Sequence, residues 1–307
     1  RLLIFLAPCD CGDSYRRVAS AASAAAHSIS SVGRVAYVAL RLTFGGSPNP
    51  PTWCLFSEMV TDLANEIYRC SSWNPHNLRS PAQPNTPTPR TLPPHVAFES
   101  AMPMAVIVPV TVTARTDGFI DDLIQVFLDT PDNLARAPHS VPLAIHLTSR
   151  PHAGPAEPIQ RRGLLSDLKL IAEGTPEEIQ IVLGWSMDTR RLLLSLPTDK
   201  FDAWMQDITK ISTSGKTSFG DLETTVGRLN HAAYVIPLSQ HFLNRLRSRL
   251  LCRKPKAQEI TLSHHELQDL ALWRRFLTMA HTGLSMNRLT IRQPSRLAFS
   301  DTCPFGF

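Results

Sequence analysis

Two adjacent carboxylates, Asp121 and Asp122, sit in the segment Phe119-Ile120-Asp121-Asp122 between two apolar runs, residues 104–113 and 123–128. Runs rich in Val, Ile and Phe read as buried strands, and the polar stretch Arg115-Thr116-Asp117-Gly118 between them supplies turn residues. Paired acids at the tip of such a hairpin are suited to a divalent cation. Side chains alternate along a strand, so Asp121 and Asp122 point the same way only where the backbone turns. Taken alone, an acidic pair reads first as an exposed turn, since such pairs are common on solvated loops. A third carboxylate in a matching place changes that balance, because two-metal phosphoryl transfer needs acids from more than one strand to hold ions about 3.5–4 Å apart. Asp10 is that third acid. It follows the short apolar run of residues 2–7, which reads as a buried strand ending at the carboxylate.

The elements that must position these acids follow from periodicity. Residues 19–31 are rich in Ala and Ser and read as a short helix; residues 35–44 alternate as a strand, broken by Gly45-Gly46-Ser47-Pro48-Asn49-Pro50-Pro51. Trp53, Phe56, Met59, Val60, Leu63, Ala64 and Ile67 then recur as the buried stripe of a helix. Residues 72–94, with seven prolines among Ser, Asn and Thr, read as a long exposed insertion. Residues 164–173 are expected to be helical. Residues 179–187 and 191–196 are expected to form a second hairpin that turns at Asp188-Thr189-Arg190. Beyond it the chain turns helical, with Thr198 as a cap before the stripe Phe201, Trp204, Met205 and Ile208. Ser218/Asp221 and Ser263/Glu266 have capping-box spacing, and residues 236–251 form a long helical pattern. His264 and His265 lie outside any H-E-x-x-H frame and read as surface residues at a helix start.

Composition bounds the class. With 307 residues, 43% of them hydrophobic and 19% charged, the chain can bury a sizeable core, and 25 prolines against 14 glycines point to rigid connections. Six cysteines without C-x-x-C spacing fit a reduced, intracellular thiol set, with nucleus and cytoplasm not distinguished. No apolar run reaches 18 uninterrupted residues, so no membrane helix is expected. The first residue is Arg1 rather than Met, which reads as an internal piece of a longer polyprotein. The net charge of +5 is uneven: residues 236–296 hold eleven Lys and Arg against three acids. A basic carboxyl-terminal third beside an acid-bearing amino-terminal half suits phosphate grip on one side and metal on the other.

These residues carry a resemblance to reverse transcriptases that spans most of the chain. Asp10-Cys11-Gly12-Asp13-Ser14-Tyr15 is similar to their first catalytic motif, an Asp followed five residues later by an aromatic. Phe44-Gly45-Gly46-Ser47-Pro48-Asn49-Pro50-Pro51-Thr52-Trp53 resembles the second, and Phe119-Ile120-Asp121-Asp122 the third, in the family's order. Leu183-Gly184-Trp185 resembles a later Leu-Gly-aromatic hairpin. Gly227-Arg228-Leu229-Asn230-His231-Ala232-Ala233-Tyr234 and Arg190-Arg191-Leu192-Leu193-Leu194-Ser195-Leu196-Pro197 are most similar to DIRS-type and gypsy-type retroelements. Residues 297–306, with Asp301, resemble the opening strand of an RNase H domain, whose other carboxylates are not among these residues.

The resemblance implies an α+β fold: a right-hand polymerase palm, an antiparallel sheet backed by helices, followed by a helical thumb and connection. The implied division is a palm with partial fingers at 1–197, carrying the insertion at 72–94, a thumb/connection at 198–295, and the start of an RNase H-like domain at 296–307. It implies an RNA-directed DNA polymerase acting on an RNA or DNA template-primer and deoxynucleoside triphosphates. Asp10, Asp121 and Asp122 would hold two Mg2+ ions, or Mn2+, with Asp121 the bridging ligand beside Asp10. Tyr15 would exclude the ribose 2′-hydroxyl, Phe44, Gly45 and Gly46 would approach the nucleotide, and Lys169 would face the leaving pyrophosphate. The basic fingers segment that precedes the first motif in the family has no counterpart before Asp10. Two other functions remain open on the residues: a retroelement relic that binds nucleic acid without polymerising, and an unrelated metal-dependent phosphohydrolase. Composition and spacing give no oligomeric state.

Overall fold

Strand β1 (Ile4–Asp10) runs antiparallel to β5 (Asp122–Leu128), and β5 to β4 (Ala114–Phe119), giving a three-stranded sheet of order β1-β5-β4. The computed structural model describes residues 2–27, 29–43, 49–70, 72–73, 86–100, 113–149, 163–252 and 254–289. Between β1 and β4 lie the short helices α1 (Ser14–Arg17) and α2 (Ala22–Ala26), the exposed ribbon of β2 (Ile29–Val32) and β3 (Val35–Val38), and the long helix α3 (Asn49–Arg69). After β5 come α4 (Pro131–Thr148), α5 (Asp167–Glu173) and the hairpin of β6 (Ile179–Val182) and β7 (Trp185–Asp188).

The pleat turns Phe5, Ala7 and Cys9 of β1 and Leu123 and Phe127 of β5 to one buried face and Asp10 and Asp122 to the opposite one. Phe5 and Phe127, directly paired, meet with ring centroids 5.6 Å apart on one face, together with Ala7, Ala114 and Ala137. Further along that same face Cys9 and Leu123 pack with Trp53, Val60 and Ala64 of α3 and Ala144 of α4. The stripe read from the sequence is therefore the buried face of α3, except Met59, which is exposed. Helix α4 starts from Thr130, whose hydroxyl accepts from Asn133 N–H, with Pro131 in the first turn, where its missing donor costs nothing.

Residues 115–118, expected as a turn, are strand. The turn is shorter and later, at Ile120 and Asp121, because every residue from Ala114 to Phe119 finds a partner on β5. The outer edge of β4 is met by Asn65 of α3, whose Oδ1 accepts from Thr116 N–H and whose Nδ2 donates to Thr116 C=O, both at 2.9 Å. This side-chain amide satisfies edge groups that another strand would otherwise pair. The expected strand 104–113 lies, apart from Thr113, outside the described residues.

The second hairpin also turns earlier than expected, at Leu183 and Gly184, both with positive φ (49° and 81°) as a two-residue hairpin loop of this hand requires. Asp188-Thr189-Arg190 instead joins the hairpin to a buried clamp. Arg190 gives two 2.7 Å bonds to the Glu178 carboxylate, with the two residues only 4% and 1% exposed, and its guanidinium also donates to the carbonyls of Leu92, Pro93 and Val96. Leu92 N–H returns a bond to Glu178 Oε2, and Arg90 N–H bonds Pro176 C=O. The described end of the proline-rich segment is thus tied to the hairpin rather than free as an insertion loop. Pro lacks a donor, so this stretch offers carbonyls, and an arginine is the side chain that can collect several at once.

By its contacts the chain divides into two compact units; among the described residues the first holds 2–97 and 113–190, the second 98–100 and 191–289. The second unit contains β8 (Leu193–Ser195), α6 (Thr198–Ser214), β9 (Lys216–Ser218), α7 (Phe219–Ala233), a 3-10 turn Ser239–Leu243, α8 (Asn244–Leu250), β10 (Glu259–Thr261), α9 (His264–Thr282), β11 (Leu284–Ser285) and α10 (Met286–Leu289). Trp204, Ile208, Leu222, Leu229, Trp273 and Leu277 are buried in it. Ser218 caps α7, and Ser263 and Glu266 form a full capping box on α9, as their spacing predicts. Thr198 is the first helical residue rather than the cap, which falls on Pro197. The pattern at 236–251 is interrupted: Leu238, at φ 63°, separates α7 from the 3-10 turn that leads into α8. Among the described residues no helix is long and apolar enough to cross a membrane.

Candidate active site at the β1–β5 strand ends

The register of β1 against β5 places Asp10 directly opposite Asp122. Directly opposed residues of an antiparallel pair project to the same face with Cβ atoms roughly 4.5–5.5 Å apart, so the two carboxylates are neighbours by construction. Asp121 occupies the second position of the two-residue turn, and its carbonyl accepts from Cys11 N–H at 3.3 Å, which prolongs the β1 pairing past Asp10. Asp122, rather than Asp121, is therefore the strand partner of Asp10.

The turn is strained and held. Ile120 adopts φ 58°, an outlier for a β-branched residue, at a cost on the order of 1–3 kcal/mol. Its carbonyl accepts a 2.9 Å bond from the Trp53 indole N–H, and Trp53 is buried against Tyr15 and Phe56 at 6.3 and 5.1 Å between ring centroids. Helix α3 thus fixes the peptide just before the acids. Trp53 was legible in the sequence as core; its role as donor to the acid turn was not, since it depends on a contact 67 residues away.

Segment 164–166 enters from the other side. Leu164 C=O accepts from Gly12 N–H at 2.7 Å, and Ser166 N–H donates to Asp10 C=O at 3.3 Å. Ser166 then caps α5, and this short helix carries Lys169 to the Asp10 carboxylate, where Nζ and Oδ2 form an ion pair. Lys169 is 54% exposed and Asp10 16%. One turn later Glu173 lies within electrostatic reach of Asp122. Glu173 belongs to no motif in the sequence; its spacing of four from Lys169 on a helix is the one local signal that places it beside the site.

Electrostatics record this crowding of acids. Partial desolvation, then the negative charges of Asp121 and Glu173, raise the Asp122 carboxyl above its ordinary range. Burial, then Asp121, raises the Tyr15 phenol. Burial pushes Cys9 up to about 12 and Cys11 higher still, which leaves both as protonated packing residues.

Of the residues singled out in the sequence, the structure gathers Asp10, Asp121, Asp122, Lys169 and Tyr15. Tyr15 is 6% exposed and sits in the core beside Trp53. Phe44, Gly45 and Gly46 lie outside the described residues, as does the RNase H-like segment with Asp301. An all-oxygen carboxylate donor set at one strand end fits a hard divalent cation such as Mg2+ or Mn2+. Yet among the described residues no group of three or more His, Cys, Asp or Glu side chains is converged so that it could hold a metal ion. The Asp10 carboxylate is instead engaged by Lys169.

No protein-family model matches the chain, nor does any curated protein. Among solved structures it is similar to a foamy viral protease-reverse transcriptase in complex with RNA/DNA hybrid, with 13% identity and a TM-score of 0.50 over 92% of this chain and 28% of that one. The fold is reverse-transcriptase-like. A second foamy viral protease-reverse transcriptase structure, in complex with double-stranded DNA, aligns at 13% identity and a TM-score of 0.47 over 92% of this chain and 36% of that one. The chain thus spans about a third of the length of these reverse transcriptases. Within this fold, the mixed helix and antiparallel-sheet architecture expected from the sequence is the one observed.

Proposed function

We propose that the chain is the polymerising portion of an RNA-directed DNA polymerase, carrying out nucleotidyl transfer from a deoxynucleoside triphosphate to a primer 3′-hydroxyl. The observation that carries this reading is the juxtaposition of Asp10 and Asp122 across β1 and β5, with Asp121 in the adjoining held turn, inside a reverse-transcriptase-like fold. Asp10, Asp121 and Asp122 would hold the divalent ions. Such ions lower the pKa of the attacking hydroxyl and neutralise charge on the leaving pyrophosphate. The strands fix Asp10 and Asp122, while Trp53 fixes the peptide that precedes Asp121. Tyr15, packed on Trp53, is the aromatic assigned to exclusion of the 2′-hydroxyl, and Lys169 stands where an ammonium can face phosphate. In the second unit Lys254, Lys256, Arg274, Arg275 and Arg288 are exposed and supply positive surface for a template-primer. Arg245 and Arg249 are committed to Asp269 and Glu266 and contribute less to that surface. Ancestry in a DIRS-type or gypsy-type retroelement rests on sequence texture at 190–197 and 227–234.

Primer extension on an RNA template with Mg2+ or Mn2+ tests this reading. Extension by the unaltered chain, reduced at least about 10³-fold by Asp10→Asn or Asp121→Asn with the fold retained, is the expected result. Extension that persists in both variants would remove the assignment. A second reading, a nucleic-acid-binding protein without polymerase activity, is favoured by the Lys169–Asp10 pair and by the unconverged carboxylates. It predicts salt-sensitive binding to an RNA/DNA duplex, with no extension under any divalent ion.

A further inference from the structure

We propose that the chain associates with a second copy of itself, the outer face of α3 in one copy seating in a groove beside α6 and α9 of the other. The inference goes beyond the polymerase reading and does not depend on it. Its grounds are two exposed surfaces that match in apolar content and oppose in charge.

The first surface is on α3. Leu55 and Met59, one turn apart, are 71% and 48% exposed, although the buried stripe of this helix packs into the core of the first unit. Glu58 and Asp62 are exposed beside them. Residues three and four apart on a helix are neighbours, so these four side chains form one patch, apolar along its middle and acidic at its edge. The next acid on this face, Glu66, is taken by Arg69 at 2.8 Å. Glu58 and Asp62 have no ion pair among the described residues.

The second surface lies in the second unit. Helices α6 and α9 pack together, and a groove of about 440 Å³ opens beside them, lined by Met205, Arg274, Arg275, Thr278 and Met279. Met279 is 45% exposed, and both arginines are exposed with no ion pair among the described residues. Methionine is unbranched and polarisable, so a groove floored by two of them repacks around an incoming apolar side chain. Two guanidiniums at its lip call for carboxylates or phosphates. A phosphate backbone brings no apolar side chains to cover the methionines, whereas a helix face with Leu, Met and two acids answers both demands. Every copy of the chain carries that face on α3. Because the two surfaces differ, the contact is heterologous: each docked pair keeps one groove and one α3 face unused, and growth continues unless rotation closes a ring. One helix face in one groove is a small interface, so a dissociation constant on the order of 10–100 µM is expected.

Sedimentation velocity of the full chain at rising concentration, in low and high salt, tests this. The mean mass should rise with concentration and fall with salt. Arg274→Glu with Arg275→Glu, and separately Glu58→Lys with Asp62→Lys, each bring like charges together and should weaken association at least about 10-fold. Mixing the two variants should restore it, since each keeps the surface that the other has lost. A chain that is monomeric at every concentration, association that survives both reversals, or a mixture that stays apart overturns the proposal. If the arginine reversals weaken binding of an RNA/DNA hybrid but leave sedimentation unchanged, the groove belongs to nucleic acid and self-association is overturned. A readout on the unaltered protein is hydroxyl-radical oxidation followed by mass spectrometry. Met59 and Met279 should oxidise more slowly relative to Met187 as concentration rises, and ratios indifferent to concentration would overturn the docking.

Discussion

Arg190–Glu178 and Lys169–Asp10 are both ion pairs of the first unit, yet they do opposite work. The first is buried on both sides, bidentate, and completed by backbone groups from residues 92, 93 and 96. The second joins a half-exposed lysine to one oxygen of a partly exposed acid at a strand end. Desolvation sets the distinction. A buried pair cannot lose one member without stranding the other charge, so it behaves as a fixed joint. An exposed pair can open to water at little cost. The same two charge types thus build scaffold in one place and leave a readily opened contact in the other.

Arg190→Ala should show the largest effect on stability. It strands Glu178 and frees the carbonyls of the proline-rich segment, with an expected loss of about 3–5 kcal/mol in urea unfolding monitored by circular dichroism. A loss below about 1 kcal/mol would show that the clamp is not a joint. Next is Trp53→Phe, which keeps an aromatic in the core but removes the donor to Ile120. A loss of about 1–3 kcal/mol is expected from the unpaired carbonyl and the altered packing, together with weakened Mn2+ binding. Unchanged binding would show that the turn holds its shape without the indole.

The pair of Arg249 with Glu266 is intermediate, with side chains 45% and 5% exposed. Burial opposes ionisation of Glu266, but bonds from Arg249 and Ser263 outweigh it, so its carboxyl lies below the usual range. A depressed carboxyl stabilises the fold fully above its unfolded pKa, and that contribution is lost as pH falls through the folded value. Glu266→Gln should therefore cost about 1–2 kcal/mol at pH 7, with the gap to the unaltered protein closing below pH ~4. A gap independent of pH would assign the loss to the cap geometry alone. Lys169→Met is the smallest, within about 0–1 kcal/mol of the unaltered protein, because an exposed pair contributes little.

The elements nearest the site show which parts of it could be read in advance. The stripe of α3, the caps of α7 and α9 and the acids themselves are local patterns, and the structure keeps them. The turns shifted, from 115–118 to Ile120–Asp121 and from Asp188–Arg190 to Leu183–Gly184, because a polar stretch signals a turn only where no strand claims its backbone. Arg115, Thr116 and Asp117 found partners on β5, and Asn65 sealed their outer edge. The proline-rich stretch looked free because nothing within it reveals the Arg190 and Glu178 side chains that hold its end.

The sequence by itself determined which residues can do chemistry, the order of the acids along the chain, and the apolar faces that must be buried, since residue type and period decide these locally. Only the tertiary structure decided that Asp122 stands opposite Asp10, that Trp53 holds the strained peptide before the acids, and that Lys169 rather than a third carboxylate meets Asp10. Each of those is a contact between residues tens to more than a hundred positions apart, set by strand register and by the approach of α3 and α5 to the sheet. A one-residue slip of β5 would turn Asp122 to the other face without changing a single letter of the chain.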